Sequence, residues 1–135
     1  MKKLLFLSIL GIFGLSSCKK EPAPITIKKP IDFLTEKNWK YLEFNNQLKA
    51  CDADDVLSFS TGGDFIIELG SNHCTSNEGE QITGTWAFIN EESQIIKEYT
   101  VFGSLLTDTL SIIRLNEKEF KYVDENNNSV VLEHL

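Results

Sequence analysis

Between Gln81 and Ile89 the chain alternates: Ile82, Gly84, Trp86 and Phe88 fall on one side of an extended backbone, and Thr83, Thr85 and Ala87 on the other. Successive side chains of a strand point to opposite faces, so this period of two marks a strand with one buried and one wetted face, as antiparallel sheets have. Phe65, Ile67 and Leu69 repeat the pattern, as do Phe120 and Tyr122 about Lys121. On this basis eight strands are predicted, at Trp39–Asn45, Val56–Ser60, Asp64–Leu69, Gln81–Ile89, Gln94–Val101, Thr107–Leu115, Glu119–Asp124 and Ser129–Leu135. A single helical turn fits between Pro30 and Asn38, with Thr35 as candidate N-cap. The connections carry turn chemistry: Thr61-Gly62-Gly63 supplies positive φ, and Asn90-Glu91-Glu92, Asn116-Glu117-Lys118 and Glu125-Asn126-Asn127-Asn128 are polar. Two places break the alternation, Ile95-Ile96 and Ile112-Ile113, where a bulge would re-aim a side chain. With no long amphipathic helix and no βαβ rhythm, the fold class is all-β and antiparallel, an up-and-down barrel or a sandwich.

A chain of 135 residues has room for one such domain. Hydrophobic content of 41% and charged content of 24% are those of a globular chain and exclude wholesale disorder. Thirteen basic against 20 acidic residues exclude a protein that tracks nucleic acid, which needs a basic face. There is no serine in a nucleophile elbow, no zinc-protease motif and no glycine-rich phosphate cradle ahead of a helix. The expectation is therefore a protein that is not an enzyme, with no cofactor and no metal.

The first eighteen residues carry a different message. Lys2 and Lys3 precede an apolar stretch from Leu4 to Leu15, too short for a bilayer span of roughly 20 residues and of the length of an export signal. The sequence Leu15-Ser16-Ser17-Cys18 that follows resembles the lipobox of bacterial lipoproteins, in which the cysteine is lipidated and becomes the first residue of the mature chain. The expected organisation is a signal peptide over 1–17, a lipidated Cys18 and a Pro/Lys tether over 18–30, and a domain over 31–135. Without Lys2 and Lys3, 11 basic residues face 20 acidic ones, a net charge of −9. An acidic domain stands off an acidic membrane surface, so the acyl chains must hold it there. The tether contains all three prolines of the chain, Pro22, Pro24 and Pro30, and at about 3.1 Å per residue reaches roughly 35–40 Å. The expected location is the bacterial cell envelope, on the outer membrane in preference to the inner.

With Cys18 lipidated, Cys51 and Cys74 remain, and an even remainder in an oxidising compartment reads as a disulfide. A metal site formed by these two with His73 would lack the paired short spacings of tetrahedral zinc. Taken together, Trp39, Cys51-Asp52-Ala53-Asp54-Asp55, Phe59, Gly62-Gly63, Cys74 and Gly84-Thr85-Trp86 resemble the small lipocalin-like domains of bacterial lipoproteins, over about residues 33–123. The family often has glycine just before the first tryptophan, where this chain has Glu36-Lys37-Asn38. The resemblance implies an eight-stranded up-and-down barrel with an internal cavity, tied by a Cys51–Cys74 bridge.

Asp52, Asp54 and Asp55 form the densest acidic cluster. They lack the glycine turn and terminal acid of a calcium loop, so they read first as turn residues bonding backbone N–H groups and second as cation ligands. His73 reads as a loop histidine, and His134 lies near the C-terminus, where fraying is expected. Phe65, Trp86, Phe88, Phe120 and Tyr122 fall on apolar faces and are the candidate wall of a ligand pocket, with Gly84 leaving space beside the Trp86 indole where a ligand or another ring could enter. An eight-stranded barrel is just wide enough to be filled by side chains or to hold one small ligand. The expected function is a membrane-anchored binding protein for a small apolar or amphipathic molecule. The alternative is an envelope interaction module with a filled barrel, acting through loops such as Ser71–Gln81.

Overall fold

The computed structural model describes residues 26–74 and 79–135. A short helix, α1 (Pro30–Thr35), leads into eight strands: β1 (Trp39–Phe44), β2 (Val56–Phe59), β3 (Asp64–Glu68), β4 (Gln81–Ile89), β5 (Gln94–Val101), β6 (Ser104–Leu115), β7 (Glu119–Val123) and β8 (Ser129–His134). Each pairs antiparallel with the next and β8 returns to β1, so the sheet closes into a barrel in sequence order. Closure satisfies every edge and decides between barrel and sandwich. Cys18 and the segment before residue 26 lie outside the described residues.

The strands run alternately up and down, so all connections fall into two groups. At one end lie the tight turns between β2 and β3, β4 and β5, and β6 and β7, closed over by α1. In the first of these, Gly63 takes φ +90° and its carbonyl accepts the Trp86 N–H at 2.7 Å. At the other end lie the β1–β2 and β3–β4 loops, the β5–β6 hairpin and the β7–β8 turn. The Cys51–Cys74 disulfide joins the two long loops there, with 5.1 Å between Cα atoms.

Several local expectations need correction. Thr35 does not cap α1 from the front: it is the last helical residue, and its hydroxyl donates back to the Ile31 carbonyl at 2.8 Å. The N-cap is Lys29, whose backbone N–H donates to Asp32. Of the two breaks in alternation, only that in β6 is a bulge, between Ile112 and Arg114 opposite β7. In β5 the register is regular, Ile95 pointing into the core and Ile96 outward beside Ala87 and Thr109. Strand β6 also starts three residues earlier than expected. Val101 pairs with Ser104 across a two-residue turn, in which Phe102 (φ 50°) and Gly103 (φ 79°) both have the positive φ such a turn demands. A Phe in the first position carries no turn signal, which is why sequence patterning reads the segment as a loop.

Candidate functional site

The inward faces of the strands divide at about the level of Gly84. Towards the α1 end the barrel is solid. Trp39, Leu57, Ile95, Phe120 and Leu132 are fully buried, with Phe59, Phe65 and Trp86 nearly so. Their rings meet edge to face: Phe59 with Trp86 at 5.4 Å, Trp86 with Phe88 at 5.3 Å, and Trp39 with Phe120 at 5.9 Å between centroids. These are favoured quadrupole geometries and add to the burial of the rings themselves. Both indoles satisfy their N–H groups on backbone carbonyls, Trp39 on Leu34 and Trp86 on Ser60. The missing glycine before Trp39 is therefore no obstacle: helix α1 lays Leu34 over the indole and closes the end.

Of the two occupants expected for the space at Gly84, a ligand or another ring, the structure has a ring, that of Phe65. A Cβ there would lie 2.7 Å from the Phe65 ring, 2.8 Å from Tyr99 Cβ and 2.2 Å from the Glu98 carbonyl. The position is bare because β3 and β5 send Phe65 and Tyr99 across it, their rings 5.9 Å apart and nearly perpendicular.

Above Gly84 the barrel opens into a cavity of about 580 Å³. Small-molecule sites span roughly 300–1,000 Å³. Its walls are apolar where Phe44, Ile67, Ile82, Leu110 and Val130 face inward. Its floor is polar. Lys97 on β5 is 5% exposed and pairs across the sheet with Asp108 on β6, Nζ to carboxylate 3.3 Å. The ammonium also lies 5.3 Å from the Phe65 ring centre and 5.4 Å from that of Tyr99, so two ring faces and one carboxylate replace its water. Burial pulls Lys97 below its ordinary range while Asp108 pulls it back up. The Tyr99 hydroxyl donates to Asp108 at 2.9 Å. Burial, then that hydrogen bond, push the Tyr99 phenol from 10.0 to about 12. Tyr41 and Tyr122 also line the cavity, and burial raises both phenols, with Asp55 next in effect at Tyr41 and Tyr41 next at Tyr122.

Of the aromatics singled out in the sequence, Tyr122 lines this cavity, while Phe65, Trp86, Phe88 and Phe120 belong to the ring cluster beneath it. Phe65 forms the boundary through its contacts with Lys97 and Tyr99. Sequence reasoning missed Tyr41, Lys97, Tyr99 and Asp108. The signal for two of them was present: Lys97 and Tyr99 continue the inward parity of Ile95, but a lysine in a strand reads by default as a solvated charge.

The acidic cluster serves the rim. Asp54 accepts both the N–H and hydroxyl of Ser71 and the N–H of Asn72 through one oxygen. Although burial opposes it, these bonds hold the Asp54 carboxyl below its usual range. Asp55, 7% exposed, accepts the Gly70 N–H at 2.8 Å. Gly70 has to be bare, since a Cβ there would sit 2.1 Å from the Asp54 carboxyl carbon. Asp54 and Asp55 thus bond backbone N–H groups as expected, and they reach those of the facing β3–β4 loop. With the disulfide, they hold the two long loops together beside the mouth. Residues 75–78 of the Ser71–Gln81 loop lie outside the described residues. His73 and Cys74 flank this seam, and the bridged Cys51 and Cys74 leave no thiolate beside Asp52.

No family model matches the chain, and no curated protein does. Among solved structures, a lipocalin-like protein from Bacteroides uniformis superimposes with a TM-score of 0.55 at 11% identity, over 76% of this chain and 99% of that one. At that identity the likeness establishes the fold: this chain is a lipocalin-like barrel, with its cavity in one half.

Proposed function

We propose that this chain is a lipid-anchored binding protein of the bacterial cell envelope, holding a small amphipathic molecule in the open half of its barrel. The observation that carries the reading is the cavity of about 580 Å³: a barrel built only as a scaffold gains from filling that space with side chains. Binding would proceed by desolvation of ligand carbon against Phe44, Ile67, Ile82, Leu110 and Val130, with the floor setting orientation. Lipidation of Cys18, and with it a place on the outer membrane, rests on the Leu15-Ser16-Ser17-Cys18 sequence and its charged, apolar lead. The tether enters the domain at Pro30, on the closed end, so the mouth is on the opposite side from the chain that leads to the membrane.

The test is native mass spectrometry of the protein released gently from its own envelope. A co-purifying mass is expected, and it should be lost in Val101→Trp, which plugs the cavity from a half-exposed rim position and leaves the ring cluster untouched. Folded wild-type protein that never carries an additional mass, even after incubation with envelope extract, would count against the reading.

A further inference from the structure

We infer that the cavity selects for positive charge: its ligand carries an amine or ammonium head on an apolar body. The inference rests on the binding reading above and adds the sign of the ligand's charge.

Among the described lining residues Lys97 is the one cation, against the carboxylates of Asp52, Asp55, Asp108, Asp124 and Glu125. Lys97 is already neutralised. It is 5% exposed, paired with Asp108 and set between the Phe65 and Tyr99 rings. An anion reaching for it would have to displace Asp108 and pass the acidic rim. Two of the other carboxylates are fixed by donors that accompany the fold. Asp55 accepts the Gly70 N–H, and Asp124 accepts the N–H groups of Asn126 and Asn128. Although burial opposes it, the Asn128 and Asn126 bonds hold the Asp124 carboxyl below its usual range. Walls of low polarity make such a field stronger than the same charges on an open surface.

A second observation is independent of the carboxylates. Tyr122 is 5% exposed and lines the cavity, and its hydroxyl has no hydrogen-bond partner among the described residues. A phenol hydroxyl turned to a cavity offers its oxygen to whatever occupies that space. Tyr41 and Tyr99 line the same cavity. Phenol oxygens and ring faces both attract an ammonium, the first as acceptors and the second through the ring quadrupole. Negative potential, an unpartnered phenol and aromatic faces around one apolar chamber together describe a receptor for an organic cation.

The experiment uses the lipidated full chain in phosphatidylcholine nanodiscs, with empty nanodiscs subtracted, and three probes that share one body: 4-phenylbutylamine, 4-phenylbutanol and 4-phenylbutanoate. Calorimetric titration at pH 7 should find the amine bound about tenfold or more tightly than the alcohol, and the acid weakest. The amine's advantage should shrink as salt is raised, a result that needs no variant. Asp108→Asn, which keeps an acceptor for Tyr99, should narrow the gap between amine and alcohol. Lys97→Met should widen it, with folding of both variants checked by near-ultraviolet circular dichroism. Equal affinity for amine and alcohol would overturn the charge selection and leave the cavity reading standing. Tightest binding of the acid would overturn it in the other direction. No binding of any probe by folded protein would remove the cavity reading itself, and this inference with it.

Discussion

Below Gly84 the barrel is packed ring against ring, Trp39, Phe59, Trp86 and Phe120 meeting edge to face under the lid of α1. Above it the same strands turn Tyr41, Lys97, Tyr99, Asp108 and Tyr122 towards a chamber of about 580 Å³. Both sets obey the same inside-outside alternation. What separates them is height along the barrel axis. The chain spends its large apolar rings at the end where the tight turns draw the strands together, and its hydroxyls and charges where long loops hold the mouth. The closed half is a core, whose side chains must fit one another. The open half, on the function proposed above, is a site whose side chains have a ligand to fit. Substitutions in the first should act on stability, and in the second on binding.

The largest effect expected from breaking this division is in the closed half. Trp86→Ala removes a nearly buried indole, its contacts with Phe59 and Phe88, and the Nε1–H bond to Ser60. It should cost about 3–5 kcal/mol in urea unfolding, with unchanged probe affinity in the fraction still folded. A stable Trp86→Ala protein with weakened binding would put that ring in the site after all.

Next is the clamp on the open half. The bridge spans a separation of 23 residues, and losing it in Cys51→Ser/Cys74→Ser should cost roughly 3 kcal/mol by the loop-entropy model. Because the bridge joins the loops at the mouth, ligand release should also quicken, which stopped-flow displacement of a bound dye would read. A loss of stability with unchanged release would make the bridge a staple for the fold alone.

Gly84→Ala probes the boundary. The added carbon meets backbone at 2.2 Å and Phe65 at 2.7 Å, so about 1–3 kcal/mol of overpacking is expected by thermal unfolding. Wild-type stability would mean that Phe65 and Tyr99 can part, and that the boundary between the halves is soft.

The smallest effect is on the pH dependence. Tyr99, raised from 10.0 to about 12, holds its proton more tightly folded than unfolded. Its contribution is therefore fully present below pH 10 and is lost as the pH rises through about 12. Tyr41 and Tyr122 shift in the same direction and steepen the decline. Lys97, shifted down, works against them as the pH approaches its ordinary value. Denaturation midpoints between pH 8 and 12 should fall, and fall less in Tyr99→Phe. An unchanged slope in that variant would show that the phenol is not held by Asp108.

Much of the fold was legible because its information is local. Alternation around Trp86 and Phe65, and the glycines at Gly62-Gly63, located β3 and β4, and β4 and β5 kept their expected limits. The Phe102-Gly103 turn was not legible, because a Phe there is chosen against local preference. The two halves were not legible either. A period of two says which side chains point inward, but their height depends on the register between neighbouring strands. The Lys97–Asp108 pair exists only once β5 and β6 are aligned. For the same reason Trp86 and Tyr122 looked alike in the sequence and lie at different levels.

The division of the barrel into core and site is tested most directly by amide chemical-shift mapping with a neutral probe, 4-phenylbutanol, titrated into the isotopically labelled protein. Saturating shifts should cluster at Tyr41, Lys97, Tyr99, Leu110 and Tyr122, and leave Phe59, Trp86 and Phe120 at their free positions. Shifts centred on Trp86 and Phe120, or none in folded protein, would contradict it.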